Sequence, residues 1–476
     1  MSTTSPEIGA RRLHPAGIAI LAIRALRGLA LPLAIAFGGA MMGSGGGEPL
    51  WRILAFGVFG TVIATAAGIA GWLTTSWSLT ATAVRLREGV LSRRETVVPL
   101  ARVQAVDTVH GPLQRLFGVQ GVDVQTAGGG REGEIKLPAV ARADVERLRA
   151  AVHDHAAAAA AGPVVLARRR LARDRLFAAA LTAGQVGVLL PVLAGVVQLL
   201  QELGSDDARL AQAGLRLAPD STGEWLLAVV GLVVVAWLLS AGGAVLAFAG
   251  FTLTREAERL RIHRGLLARR EATVPLARVH AVRVVEGTLR RPFGLVTLRA
   301  EVMGYSREAA VARTLFPLLR RAEVEPFLAA FLPELADELD GLARPPRRAL
   351  RRYVLPPTLA ALALAAAAAV VTPVAGAWAL LLVPPAAAFG RSRFAAAGWR
   401  LRDDGRLALR FRRLARTTVL APAARLQEHG TAQNPFQRRA ELADLEVRIG
   451  AGTHATVRHL DARDAGRLFD RLRRVA

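Results

Sequence analysis

Arginine is the residue type through which this sequence can do most of its chemistry. Lysine and arginine together number 62 against 38 acidic residues, and the only lysine is Lys136. A guanidinium group stays charged and binds phosphate through two parallel hydrogen bonds. Two dense clusters are the candidate contacts for anionic groups: Arg168, Arg169, Arg170, Arg173 and Arg175 in the first, and Arg344, Arg347, Arg348, Arg351 and Arg352 in the second.

Both clusters directly precede apolar runs, which gives them two interpretations. Near an anionic bilayer surface each basic residue contributes about 1 kcal/mol of attraction. The clusters are therefore predicted to contact anionic lipid headgroups. The alternative is that they only fix the direction in which the chain crosses a membrane. The sequence leaves both interpretations open.

Further arginines recur inside a repeated segment. Residues 93–106 read RRETVVPLARVQAV and residues 269–282 read RREATVPLARVHAV, and a weaker third copy includes APAARLQEHG at 421–430. The copies align Arg102, Arg278 and Arg425. Equivalent positions in one chain indicate shared geometry. Pairing with a carboxylate or carbonyl is the commoner explanation for such arginines, and phosphate binding is the alternative.

Glycines recur at two further positions of the first two copies. Gly89 and Gly265 predict a hairpin turn with positive φ. Gly118 and Gly294 end the loops HGPLQRLFG and EGTLRRPFG, in which residues such as Leu113 and Phe117 are expected to fill the core.

The sequence contains little that supports catalysis. It has no cysteine, which excludes disulfides, thiolate metal sites and cysteine nucleophiles. No G-x-S-x-G elbow, phosphate-binding loop or H-E-x-x-H motif occurs. The HDH at 153–155 has no further ligands nearby. We therefore expect no enzyme activity, no cofactor and no metal, and the arginines lack the recognition helix or aromatic platform of a nucleic-acid-binding protein.

Apolar residues form runs long enough to cross a bilayer. They make up 52% of the chain, and the mean hydropathy is +0.33. A helix needs about 20 apolar residues to span the hydrocarbon core. Six spans in three hairpin pairs are predicted, at about 19–42, 51–73, 177–200, 225–250, 354–371 and 375–390, the sixth interrupted by Pro384 and Pro385.

Charge predicts the orientation of these spans. The connections within pairs, such as GSGGGEP at 43–49 and the net acidic 201–224, are poor in arginine, whereas the segments between pairs are rich in it. Positive residues stay on the cytoplasmic side. Both termini and the three large segments that follow the pairs are therefore predicted to be cytoplasmic.

Each of these three segments has the pattern of a small β-rich module. Period-two alternation with many valines predicts strands. Amphipathic helices are predicted to close the modules at about 139–153, 322–339 and 461–474. Trp77, Phe251 and Trp399 begin the modules, and they fit either the lipid headgroup layer or the core.

The sequence thus predicts an α+β membrane protein in which each span pair is followed by a β-sandwich or barrel with a C-terminal helix. The predicted organisation is an N-terminal segment at 1–18, span pairs at 19–73, 177–250 and 354–390, module 1 at 76–155, module 2 at 251–341, a divergent module 3 at 397–476, and basic juxtamembrane linkers at 167–176 and 342–353.

The segments WSLT, EGVLSRR, VPLARVQAV and GPLQRLFG resemble the bacterial membrane-flanked domain, also called the bacterial pleckstrin-homology (PH)-like domain. The whole chain is similar to multi-span members of the YdbT type. The resemblance implies a PH-like fold of two bent antiparallel sheets capped by one helix, a place in the bacterial plasma membrane and a role in envelope maintenance or stress defence. It implies no catalytic activity and assigns no functional residues.

Two functions are consistent with this organisation. The first is a scaffold that holds the modules against anionic lipids and binds another membrane protein or a second copy of itself. The second is a transporter or flippase-like helper with regulatory modules. Transport uses polar or broken helices near the membrane midplane, for which the candidates are Gln185, Gln198 and Pro191.

Overall fold

A computed structural model describes residues 8–26, 50–89, 93–126, 135–157, 165–182, 222–303, 314–449 and 453–475. The chain forms two compact units. The first comprises Met1–Val164, Arg170–Thr252 and Arg261–Thr273, and the second comprises Val165–Arg169, Leu253–Leu260 and Val274–Ala476.

Twenty strands occur in the described residues. They are β1 Ile8–Arg12, β2 Ser76–Leu79, β3 Ala83–Glu88, β4 Arg94–Pro99, β5 Val103–His110, β6 Val119–Thr126, β7 Ile135–Ala141, β8 Val165–Arg170, β9 Thr252–Glu256, β10 Arg259–Arg264, β11 Arg269–Pro275, β12 Val279–Glu286, β13 Leu295–Val302, β14 Thr314–Arg320, β15 Gly398–Leu401, β16 Arg406–Arg412, β17 Arg416–Pro422, β18 Glu428–Ala432, β19 Leu442–Ile449 and β20 Thr453–Asp461.

Twelve α-helices accompany these strands in the same residues. They are α1 Gly17–Leu26, α2 Leu50–Thr74, α3 Pro112–Leu116, α4 Arg142–Ala157, α5 Arg173–Leu181, α6 Thr222–Phe248, α7 Val324–Phe331, α8 Leu350–Val371, α9 Pro373–Leu380, α10 Val383–Ala396, α11 Pro435–Arg439 and α12 Ala462–Val475.

The predicted repeat is present as one order of elements used three times. In each copy three strands lead into a single 3₁₀ turn, three more strands follow, and an α-helix closes the copy. The turns are Leu100–Arg102, Leu276–Arg278 and Ala423–Arg425. Alternate strand residues and one face of the closing helix form the cores of modules 1 and 3. This arrangement follows from the two-residue period, which puts every second side chain on the buried face.

The aromatic residues at the start of the modules pack into these cores. Trp77 is buried in the core of module 1, Phe251 is fully buried, and Trp399 packs against the core of module 3. The closing helix of module 2 is shorter than predicted, because Pro333 stops α7 at Phe331 and starts a 3₁₀ turn.

Two of the described helices are long and apolar enough to cross a membrane, against six predicted spans. They are Gly57–Thr74 in α2 and Arg347–Val370 around α8, and they coincide with the second and fifth predicted spans. Shorter apolar helices lie at Gly17–Leu26 and Val233–Phe248 and overlap the first and fourth predicted spans. Most of the third predicted span falls in 183–221, outside the described residues.

The sixth predicted span is not one helix. Its sequence forms α9 and α10, which are separated by a turn at Leu381 and Leu382. Pro384 and Pro385 stand in the first turn of α10, where proline is favoured because the first N–H groups of a helix need no intrahelical acceptor. The apolar segment is therefore interrupted directly before the prolines, as predicted, and the prolines begin the second helix.

Strands on either side of each apolar pair are hydrogen-bonded to each other. β1 pairs antiparallel with β2, with Arg12 opposite Ser76. β8 lies beside β9, and Ala343 forms an isolated antiparallel bridge with Trp399. The basic segment predicted as a linker at 167–176 is therefore partly an edge strand. This strand was not predicted because it is exposed along almost its whole length and therefore lacks the apolar–polar alternation of a half-buried strand.

Two further pairings join strands from successive repeats, and we call them seam 1 and seam 2. In seam 1, within the first unit, Arg269–Glu271 of β11 pair antiparallel with Thr108–His110 of β5. In seam 2, within the second unit, residues 416–420 of β17 pair antiparallel with residues 282–286 of β12. The fourth strand of the first and second repeats thus pairs with the third strand of the next repeat.

The recurrent glycines occupy backbone conformations that side chains resist. Gly89 and Gly265 have φ of 118° and 104°, which confirms the positive φ predicted at the hairpin, and Gly118 and Gly294 have φ of 66° and 61°. A Cβ on Gly265 would stand 2.1 Å from the carbonyl oxygen of Ala268, whereas nothing lies within 4 Å of a Cβ on Gly294.

Substitution of Gly265 by alanine is expected to cost more than the same change at Gly294. At Gly294 only the left-handed conformation is penalised, by about 1–2 kcal/mol. At Gly265 the clash with Ala268 adds to that penalty and forces the hairpin to move. Thermal unfolding of the full-length protein in detergent compares the two variants, and equal melting temperatures would contradict the expectation.

Candidate membrane-contact site

The first arginine cluster lies on β8 and α5. Arg168 and Arg170 are exposed on β8, and Arg173 is exposed in the first turn of α5. Arg169 instead forms a 2.6 Å ion pair with Glu323, and Arg175 is half-buried. The structure therefore brings the cluster together but leaves only part of its charge directed to solvent.

The second cluster is divided in the same way. Arg344, Arg347 and Arg351 are exposed. Arg348 forms a 2.6 Å ion pair with Asp461. The fifth member, Arg352, donates to the backbone oxygen of Phe436 at 3.0 Å and lies over the Phe436 ring, with 5.6 Å between its guanidinium carbon and the ring centroid.

The recurrent arginines close the 3₁₀ turn in each repeat. Arg102 is exposed and Arg278 is half-buried. Arg425 donates to the carbonyl oxygen of Val279 at 2.8 Å and pairs with Glu334 at 2.5 Å. The partners of Arg425 are therefore a carbonyl and a carboxylate of the protein itself, as expected for a structural residue.

An exposed phenylalanine follows the fourth strand in every repeat. Phe117 is 45% exposed, Phe293 71% and Phe436 60%. The expectation that Phe117 fills the core is therefore wrong, although Leu113 is partly buried as expected. The short α3 helix and the equivalent 3₁₀ turn at Arg291–Phe293 present these rings outward on tight turns. Aromatic rings on basic loops are typical of surfaces that contact the membrane interface.

At seam 1 this loop lies beside the hairpin between β10 and β11. His110, the last residue of β5, is opposite Arg269, the first residue of β11, so the loop and the hairpin leave the sheet at the same end. Arg115 donates to the carbonyl oxygen of Leu266 at 3.3 Å. We define seam patch 1 by its exposed residues Arg115, Leu116, Phe117, Leu266 and Leu267.

Seam patch 1 adjoins the end of an apolar helix. The N–H groups of Gly265 and Leu266 donate to the carbonyl oxygens of Ala249 and Leu246, at 2.8 and 2.9 Å, at the end of α6. Arg264 lies over the ring of Phe248, 5.2 Å from its centroid. Burial lowers the pKa of Arg264 to about 10, so its guanidinium remains charged at neutral pH.

Seam 2 repeats the arrangement. Glu286, the last residue of β12, is opposite Arg416, the first residue of β17. We define seam patch 2 by the exposed residues Leu289, Arg291, Phe293, Arg413 and Leu414. The pKa of Arg412 in the same hairpin is lowered by its burial and by the nearby charges of Arg291 and Arg416. Positive charge is thus concentrated around exposed apolar side chains.

Seam patch 2 also lies beside a helix that follows an apolar segment. Arg393 of α10 donates to the carbonyl oxygen of Arg412 at 3.3 Å. Both arginines lie over the ring of Phe389, at 5.8 and 5.9 Å from its centroid. The hairpin is therefore held against α10 at seam 2, as the equivalent hairpin is held against α6 at seam 1.

A cleft of about 470 Å³ opens beside Phe293, but its charges are largely compensated. It is lined by Arg320 and Arg321 together with Glu325 and Asp340. The Arg321 guanidinium pairs with Asp340 at 2.5 Å and is already occupied. The cleft offers less uncompensated positive charge to a phosphate than seam patch 2 does.

The described residues contain no comparable site for other chemistry. Within the described parts of the chain no group of three or more histidine, aspartate or glutamate side chains could hold a metal ion. The residues on which a transport function would depend, Gln185, Pro191 and Gln198, lie outside the described residues. In the sequence, the signal for the seam patches is the recurrence of Leu-x-Arg-x-Phe-Gly, in which phenylalanine directly precedes a glycine at 117 and 293.

Comparison with known proteins agrees with the repeat seen in the structure. The bacterial PH domain matches three times, at residues 22–156, 188–334 and 354–476. The UPF0699 transmembrane protein YdbT of Bacillus subtilis is 25% identical over 479 residues, which cover 96% of this chain and 95% of the relative. No solved structure matches.

The three matches account for most of the chain, and each contains one of the three repeats of strands, 3₁₀ turn and closing helix. Two described helices are apolar and long enough to span a bilayer. The chain is a membrane protein and belongs to the bacterial PH domain family.

Proposed function

We propose that this protein is a multi-pass plasma-membrane platform that presses its PH-like modules onto the anionic cytoplasmic leaflet through the two seam patches. The observation that carries the proposal is the recurrence of exposed leucine and phenylalanine beside exposed arginine at both seams. Apolar side chains gain free energy by entering the headgroup region, and arginine is attracted to anionic lipid. The exposed arginines of the two clusters add to this attraction, and no catalytic step is involved.

The paired flanking strands support a cytoplasmic location for the modules. The pairing of β1 with β2, and the position of β8 beside β9, support a topology in which both ends of the intervening apolar segment lie on one side of the membrane. The bridge between Ala343 and Trp399 favours the same arrangement for the apolar segment at 354–390, with both of its ends on one side of the membrane. The arginine-rich segments fit the cytoplasmic side, so we place both termini, and the modules at 76–155, 251–341 and 397–476, in the cytoplasm.

Several weak contacts are sufficient for such a platform. Each module is tethered next to the bilayer, so its effective concentration at the lipid surface is high. A platform of this kind would serve envelope maintenance or stress defence by gathering lipids or membrane proteins. The transport alternative lacks a supporting contact among the described residues.

Lipid contact at Phe293 can be measured directly, because the chain has no cysteine. We expect a polarity-sensitive fluorophore on Phe293→Cys, in full-length protein in nanodiscs, to be quenched by nitroxide-labelled headgroups when the disc contains phosphatidylglycerol. Arg291→Gln with Arg413→Gln should weaken the contact by about 2 kcal/mol, or roughly 30-fold. High salt should also reduce the quenching, because dissolved ions screen the attraction between arginine and anionic lipid.

The matched control places the fluorophore on Arg467→Cys, an exposed residue of α12 that belongs to neither seam patch. Its quenching should be weak and independent of phosphatidylglycerol. Equal quenching at Phe293→Cys and Arg467→Cys in anionic discs would contradict docking through seam patch 2.

A further inference from the structure

The two seams have the same register, and this identity predicts a third. In seam 1 Thr108, six residues after Arg102, is opposite Glu271, seven residues before Arg278. In seam 2 Val284, six residues after Arg278, is opposite Thr418, seven residues before Arg425. One geometric rule therefore describes both pairings, although the residues that meet are different.

The first and third repeats each contain one strand that corresponds to a seam strand but has no seam partner among the described residues. β18 is the counterpart of β5 and β12, but among the described residues it is an edge strand that pairs only with β19. β4 is the counterpart of β11 and β17, and in the same described residues it is an edge strand that pairs only with β3. An unpaired edge presents a row of free N–H and C=O groups that can extend a sheet.

Side chains of the edge strands β4 and β18 are more exposed than the equivalent side chains of the seam strands. Val97 of β4 is 48% exposed, whereas Leu420 at the equivalent place in β17 is 1% exposed. Thr431 of β18 is exposed, whereas its equivalents Thr108 and Val284 are buried. The proline at the end of β4 does not prevent pairing, because β11 and β17 end in proline as well.

We propose that β18 of one copy of this chain pairs antiparallel with β4 of a second copy, in the register that places Thr431 opposite Glu95. The same rule places Ala432 opposite Arg94 and Gly430 opposite Thr96. The contact joins two different surfaces, so it is heterologous and leaves a free β4 and a free β18 at the ends of every dimer. Copies therefore add head to tail along one face of the membrane. This assembly does not depend on lipid docking.

Paired cysteines test the register in membranes that contain the full-length chain. Directly opposite residues of an antiparallel pair have Cα atoms about 4.5–5.5 Å apart, which suits a disulfide. A chain with Glu95→Cys and a differently tagged chain with Thr431→Cys are co-expressed and oxidised. We expect a covalent dimer carrying both tags, and no dimer from either variant alone.

Two controls separate the proposal from collision and from misfolding. Thr108→Cys with Glu271→Cys should close a disulfide inside one chain, because seam 1 has the same register. Thr96→Cys in place of Glu95→Cys should reduce the yield of mixed dimer at least tenfold, since its side chain points to the other face.

Three results would overturn the proposal. In the first, the single variants form homodimers as readily as mixed dimers. In the second, the Thr96→Cys and Glu95→Cys chains give equal yields of mixed dimer with Thr431→Cys. In the third, no mixed dimer forms although the intrachain disulfide of the control does. A double variant, with both cysteines in one chain, should give a ladder of covalent oligomers.

Discussion

Replacing Glu286 with alanine should make seam 2 easier to open, because the free energy of separating β12 from β17 is expected to fall by about 3–5 kcal/mol. The Glu286 carboxylate is buried, forms an ion pair with Arg416 and accepts a 2.8 Å hydrogen bond from Arg321. Its removal takes the carboxylate partner from the poorly exposed Arg416 and leaves Arg321 with Asp340, a carboxylate that is 82% exposed. A buried charge that loses its partner pays its full desolvation cost.

Hydrogen exchange of peptides from β12 and β17 measures this effect, because exchange reports local opening. The matched control is Glu334→Ala, which removes a carboxylate that is 68% exposed and pairs with Arg425. Exposed pairs contribute less than about 1 kcal/mol. The same small acceleration of exchange in both variants would show that burial does not determine the strength of the Glu286 contacts.

Seam 1 is expected to lose stability as the pH rises, and Asp107→Asn should remove that dependence. Burial, and secondly the charges of Asp123 and Glu271, raise the pKa of Asp107 to about 7, while the backbone N–H of Thr273 donates to it at 3.0 Å. The unfolded chain ionises this carboxyl near pH 3.8. Between these values the folded state retains a proton that the unfolded state releases, so stability falls as pH rises through this interval.

The asparagine variant keeps the acceptor for Thr273 and carries no charge. Near pH 4 it should match the wild-type protein, and above pH 7 it should be more stable by about 4 kcal/mol. Hydrogen exchange at β5 and β11, corrected for the intrinsic dependence on pH, measures the difference, and exchange at seam 2 serves as the internal control. Parallel pH curves for the two proteins would contradict a protonated Asp107.

Local sequence patterns predicted the structural features that depend on residues close together in the chain. The period-two segments became strands, Gly89 and Gly265 took positive φ, and the runs at 51–73 and 354–371 became long apolar helices. Each of these features is decided by a residue and its near neighbours. The three-fold repeat was visible for the same reason, because the copies share residue types at equal spacing.

Pairings between distant segments could not be predicted in this way. The seams join strands that are more than 100 residues apart, and nothing in the composition of β5 or β17 names its neighbour. The strand β8 was interpreted as a linker because Arg168, Arg169 and Arg170 have no apolar alternation. Phe117 was assigned to the core because hydrophobicity alone does not distinguish a buried ring from one that is exposed on a turn.

The pairing of β1 with β2 has a consequence for how the protein is made. β1 leaves the ribosome before α2, and its partner β2 follows only after α2 has been synthesised. The sheet of module 1 can therefore close only when the apolar helix α2 has been made and β2 lies on the same side of the membrane as β1. A nascent chain in which β2 ends on the opposite side leaves β1 without its neighbour, so under the proposed topology completion of this sheet depends on correct insertion.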